Sequence, residues 1–106
     1  MQHSDSLSYL GGWRCTSTVE ELSDRHLLVS VELVASAGAV APEQISVELD
    51  VVEAVARRPS GVTQLSGSRG RGNSILVVAH FNAIERAEAR AVILRIGQLT
   101  GRLSLC

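Results

Sequence analysis

Over most of its length this chain alternates apolar and polar residues with a period of two, the pattern of strands with one face buried. Trp13, Cys15, Ser17 and Val19 fall on one side of a first run, with Arg14, Thr16, Thr18 and Glu20 on the other. After the turn-forming Ser23-Asp24-Arg25, a second run sets Leu27, Val29, Val31, Leu33 and Ala35 against Leu28, Ser30, Glu32 and Val34. A third, Gln44 to Val51, sets Ile45, Val47, Leu49 and Val51 against Ser46, Glu48 and Asp50. The short Gly- and Pro-containing link Ser36–Pro42 between the second and third predicts sequential antiparallel pairing, both apolar faces on the same side of one sheet. Arg57-Arg58-Pro59 ends the third strand, since proline lacks a backbone donor. The nearly continuous apolar run Ser74–Phe81 reads as a fourth strand, covered on both faces or packed centrally, with Gly61–Leu65 leading toward it. The Gly- and Arg-rich segment Ser66–Asn73 joins them as a mobile loop.

The next stretch supports two readings. Asn82-Ala83-Ile84-Glu85 has the spacing of a helix capping box, Arg86–Ala91 are good helix formers, and Val92, Ile96, Leu99 and Leu103 recur at spacings of four, three and four. These features predict a helix from near Ala83 to near Thr100. Against it stand Gly97, which costs about 1 kcal/mol inside a helix relative to alanine, and the strand-like alternation of Arg90, Val92, Leu94 and Ile96 with Ala91, Ile93 and Arg95. The helix reading gives an α+β fold: an antiparallel meander of about four strands with one C-terminal helix packed on a face. Residues 1–12, polar and ending in Gly11-Gly12, read as a flexible entry segment, and 13–106 as a single β-rich domain.

Composition narrows the class. With 106 residues, 45% of them hydrophobic and a formal net charge of −1, the chain is folded and globular. No run is long enough for a spanning helix, and the opening Met-Gln-His-Ser-Asp carries no export signal, so a cytoplasmic setting is expected. Every one of the ten cations is Arg, offset by eleven acids, which argues against nucleic acid as a partner. The Arg-Gly loop 68–72, with Arg69 and Arg71, is too short and lacks aromatic platforms for a clamp on a phosphate backbone. Trp13, Tyr9 and Phe81 are the only aromatic residues, leaving Val, Leu, Ile and Ala to fill the core. A sheet of four strands under one helix leaves apolar surface uncovered, so a homo-oligomer is expected.

Catalytic chemistry does not declare itself. His3, His26, His80 and Cys15 have none of the close spacings of a metal set, there is no Gly-x-Ser-x-Gly elbow, and the absence of Lys removes phosphate-loop motifs. Cys15 and the terminal Cys106 read as reduced thiols. The expectation is a chain with no enzymatic activity, metal or cofactor.

The run His26–Gly38 leading into Ile45–Asp50, together with Asn82–Leu105 and its Thr100-Gly101-Arg102 stretch, resembles the SecB-like family of export and antitoxin-associated chaperones. The resemblance spans about two thirds of the chain, though the aromatic-Pro pair that opens the family's helix has no counterpart here. It implies four antiparallel strands and a helix, assembly as a dimer of dimers, and a holdase that captures unfolded polypeptide on exposed apolar grooves. Apolar residues outside the alternating core set, Trp13, Leu28, Val34, Val52 and Val55, are the candidates for polypeptide binding. The acidic residues Glu32, Glu48 and Asp50 are candidates for contact with a protein partner. The other expectation, which requires Glu88–Ile96 and Arg102–Leu105 to be strands, is a non-enzymatic β-sandwich serving as a structural or interaction domain in an oligomeric assembly.

Overall fold

The computed structural model describes residues 3–23, 25–36, 44–52, 55–69 and 72–105. They form eight strands: β1 (His3–Leu10), β2 (Trp13–Ser23), β3 (His26–Ala35), β4 (Ser46–Val51), β5 (Gly61–Arg69), β6 (Gly72–Asn82), β7 (Ala89–Ile96) and β8 (Leu99–Ser104). Two antiparallel sheets result, one of five strands in the order β1-β2-β3-β6-β5 and one of three in the order β4-β7-β8. Facing sheets with alternating inward apolar residues make a β-sandwich.

The expected α+β meander with a C-terminal helix is therefore corrected. The only helical element among the described residues is a single 3₁₀ turn, Arg86–Glu88, and the stretch beyond it becomes β7 and β8. The capping chemistry exists but sits three residues later, where the Glu85 amide donates to Glu88 Oε1 at 3.0 Å; Asn82 instead donates from Nδ2 to Ser60 Oγ at 3.1 Å. Burial decides the outcome. As a strand, the segment places Ala89, Val92, Leu94 and Ile96 in the core together, whereas the helical stripe would have sacrificed Leu94 and used Leu99, which is 37% exposed. Gly97, at φ 60°, takes the first central position of a two-residue turn between Ile96 and Leu99, where a Gly is favoured and a helix interior disfavours it.

The expected pairing of the second and third runs is also corrected. β3 is bonded to β2 and β6, and β4 pairs with β7 in the other sheet. Their apolar faces do meet, across the sandwich rather than side by side. Leu27, Leu33 and Phe81 from the larger sheet, Leu49, Leu94, Ile96 and Leu103 from the smaller, and Ile84 from the link between them are all within 2% of complete burial. The uncovered sheet face that argued for self-association is thus filled by the chain's own second sheet.

Two further segments differ from the sequence reading. The stretch read as a flexible entry segment contains β1, which pairs with β2 from His3↔Glu20 to Leu10↔Trp13. Gly11 and Gly12, at φ 57° and 85°, supply the two left-handed positions that a tight hairpin turn demands. Most of the expected mobile loop 66–73 is strand, with β5 and β6 paired as far as Arg69↔Gly72. The connection 37–43, Asp24, Gly70, Arg71 and Cys106 lie outside the described residues.

Arginines hold the corner where the chain leaves β6 for the smaller sheet. Arg25 Nη2 donates to Ala83 O at 3.0 Å, Arg57 Nη2 donates to Asn82 O at 2.8 Å, and Ile84 N donates to Arg25 O at 3.3 Å. Ala83 takes φ 59° there, and the tight bend drives Ile84 into the core.

Candidate interaction surface

The sandwich has unequal layers, and its ends are finished differently. At β4, the outer edge is occupied: Arg57 N donates to Leu49 O at 2.7 Å and Leu49 N to Arg57 O at 3.0 Å, an isolated bridge that shields the strand. At the opposite end, Leu10 of β1 lies against β8, close enough that a Cβ on Gly101 would meet Leu10 Cδ2 at 3.3 Å. β5 ends the five-stranded sheet, with β6 as its only strand neighbour among the described residues. Residues 61–65 are all exposed, including Val62 at 53% and Leu65 at 56%.

Strands left open at an edge are normally guarded by charge, proline or a bulge. From Gly61 to Ser68, β5 has none of these. From Ser60 to Ser68 no residue is charged, in a chain where one residue in five is, and its pairing with β6 is free of register shifts. On the outward face, Leu65 sits opposite Leu76 of β6, which sits opposite Glu32 of β3, so the edge is continuous with half-buried Leu76, Val78, Leu28 and Val34.

The five candidate polypeptide-binding residues do not come together as a groove. Trp13 is 3% exposed and belongs to the core. Leu28 and Val34 are half-buried on the outer face of the larger sheet. Val52 and Val55, 47% and 87% exposed, lie after β4 in the crossing between sheets. The three acidic candidates are divided too. Glu32 is on β3, whereas Glu48 and Asp50 are on the outer face of the smaller sheet and are neutralised there. Arg95 Nη1 donates to Glu48 Oε1 at 3.0 Å, Arg58 Nε approaches its other oxygen at 3.8 Å, and Arg102 Nη2 donates to Asp50 Oδ2 at 2.6 Å. This face is a mixed-charge surface rather than an acidic one.

The groups with chemical potential are limited in what they do. His26 Nε2 and His80 Nδ1 are 3.3 Å apart on the outer face, so one ring donates to the other and the bond requires at least one neutral imidazole. No group of three His, Cys, Asp or Glu side chains among the described residues converges to hold a metal. No helix among them is long and apolar enough to cross a membrane.

Cys15, fully buried in β2, hydrogen bonds from Sγ to Trp13 O at 3.5 Å. Burial pushes its thiol up to about 11, a hydrogen bond to the Leu10 backbone offsetting part of the rise. It is held as the poorly nucleophilic thiol. An unfolded cysteine ionises near pH 8.5, so above that value the unfolded chain sheds a proton that the native state keeps. Stability therefore falls by about 1.4 kcal/mol per pH unit above about pH 8.5, the loss levelling off near the native value. Denaturant titrations from pH 8 to 10 are expected to reveal this slope, and Cys15→Ala to remove it.

In comparisons with known proteins, no family model matches the chain, and no curated protein or solved structure gives a significant match. The fold and surface define a class in physical terms only: an antiparallel β-sandwich whose β5 edge is uncharged from Gly61 to Ser68. Val62 and Leu65 were missed as candidates because they fall on opposite faces of a short segment with no apolar periodicity to single them out. The signal available in the sequence was the absence of charge across Ser60–Ser68.

Proposed function

We propose that this chain is a non-enzymatic interaction domain that binds another polypeptide through β5, the bound segment extending the larger sheet by a strand. The observation that carries this reading is the open β5 edge, uncharged from Gly61 to Ser68, with Val62 and Leu65 exposed on its two faces. Strand addition supplies affinity through main-chain hydrogen bonds and specificity through alternate side chains.

The holdase expectation drew on a C-terminal helix and one contiguous apolar groove. The first is a pair of strands here, and the residues chosen for the second are split between core, sheet face and crossing. Edge pairing accounts for more of the exposed apolar surface near a backbone that seeks partners.

A photocrosslinking residue placed at position 65 should trap a discrete polypeptide adduct, and Gln64→Pro should abolish it while leaving the fold intact. Proline is tolerated on an edge strand where the displaced amide faces solvent. Equal trapping from position 55, at the exposed Val55, would favour general capture of apolar segments and the holdase reading. No adduct from either position would end the edge proposal.

A further inference from the structure

We infer that the strand received by β5 is β5 of a second copy of this chain, the two running antiparallel about a two-fold axis through Leu65, so that the five-stranded sheets fuse into one. The inference rests on β5 being the interaction edge and adds the identity of its occupant.

Backbone parity comes first. Ser36 N donates to Gly12 O, so the even positions of β3 face β2, and the unshifted register of β3 from Leu28 onward leaves its odd positions facing β6. Carried through the unshifted β3–β6 and β6–β5 registers, the same alternation turns the even positions of β6 toward β5, in agreement with the bond from Ser60 N to His80 O. The odd positions of β5 therefore bond to β6. Val62, Gln64, Ser66 and Ser68 present their N–H and C=O groups to the open side.

A two-fold antiparallel join satisfies these groups only if even positions meet even positions. An axis through Leu65 does so, setting Gln64 against Ser66 of the second copy and Val62 against its Ser68. Leu65 is also the midpoint of β5, Gly61–Arg69, so this one register pairs the whole strand with nothing left over. No foreign segment is guaranteed that match in length and phase, whereas a second copy is.

The side chains agree. On the axis, Leu65 meets Leu65 of the second copy at a non-hydrogen-bonded position, where facing residues approach most closely. Each leucine is backed by Leu76 of its own β6, which gives a row of four leucines across the joined outer face. The absence of charged residues from Ser60 to Ser68 means that two identical edges meet without like-charge repulsion. Of the other sheet ends, β4 carries the Arg57 bridge at Leu49, and β1 carries the charged Asp5 and packs Leu10 against Gly101 of β8.

The test uses the full chain with Cys106→Ser, leaving buried Cys15 as the background thiol, and compares Leu65→Cys with Thr63→Cys under mild oxidation. Facing non-hydrogen-bonded positions lie at about 4.5 Å between Cα atoms, within disulfide reach. Leu65→Cys should form a covalent dimer, and Thr63→Cys, whose counterpart is Gly67 of the second copy, should not. Sedimentation equilibrium of the unmodified chain should show mass rising with concentration toward twice the monomer, and Gln64→Pro should hold it at the monomer. A monomer throughout, or equal linking at both cysteines, would overturn the inference. An adduct at position 65 that contains a different protein and no second copy would also overturn it, yet would leave the strand-addition reading standing. Absence of any adduct would remove both.

Discussion

Phe81→Ala is expected to lower the free energy of unfolding by about 3–5 kcal/mol, a large share of the stability of a domain this size. Phe81 is the chain's one phenylalanine, is 1% exposed, and sits on β6 opposite Leu27 of β3. With so few rings, the space between the sheets is filled largely by Val, Leu and Ile, and the other core aromatic, Trp13, sits opposite Ala35 at the far end of β3. Ile84, fixed by the corner that Arg25 and Arg57 brace, is poorly placed to collapse into it. Urea titration measures the change through the transition midpoint, with an unaltered slope if the native state remains compact. A loss below 1 kcal/mol would mean that the sheets close over the gap and that the core is far softer than its burial implies.

The second large effect discriminates between the two ways of reading the C-terminal third. Leu94→Ala is expected to cost about 2–5 kcal/mol, while Leu99→Ala stays near 0.5 kcal/mol. In the strand, Leu94 is completely buried opposite Val47, whereas Leu99 is 37% exposed beside the Gly97 turn. A helix along the stripe Val92, Ile96, Leu99 and Leu103 would invert that order. Thermal or chemical unfolding of the two variants side by side is sufficient, and equal costs would contradict the register of β7.

These residues also mark how far the sequence was legible. The alternation through Trp13–Glu20, Leu27–Ala35 and Ile45–Val51 identified β2, β3 and β4 and their inward faces because period-two burial is a local property. It did not say what each face is buried against. A sandwich and a single covered sheet demand the same pattern in β3 and β4, so their assignment to different sheets was invisible. In the C-terminal third, a real capping interaction at Glu85 and Glu88 serves one 3₁₀ turn, and helix propensity in Arg86–Ala91 yielded to the simultaneous burial of Val92, Leu94 and Ile96. Of the candidate surface, Leu28 and Val34 lie on the outer face that adjoins the open edge, but Trp13 was needed inside. Glu48 and Asp50 acquired arginine partners, Arg95 and Arg102, from strands distant in sequence.

Both layers depend on pairing distant parts of the chain, Leu49 with Val92 in the smaller sheet and Leu27 with Phe81 in the larger, whereas the hairpins β2–β3 and β5–β6 are built from neighbours. Closing such loops is entropically slow, so the rate-limiting encounters of folding fall to the β3–β6 and β4–β7 pairings rather than to the hairpins. Truncations in β7 should then slow folding, and an effect confined to the unfolding arm of the kinetic plot would place the β4–β7 contacts after the barrier.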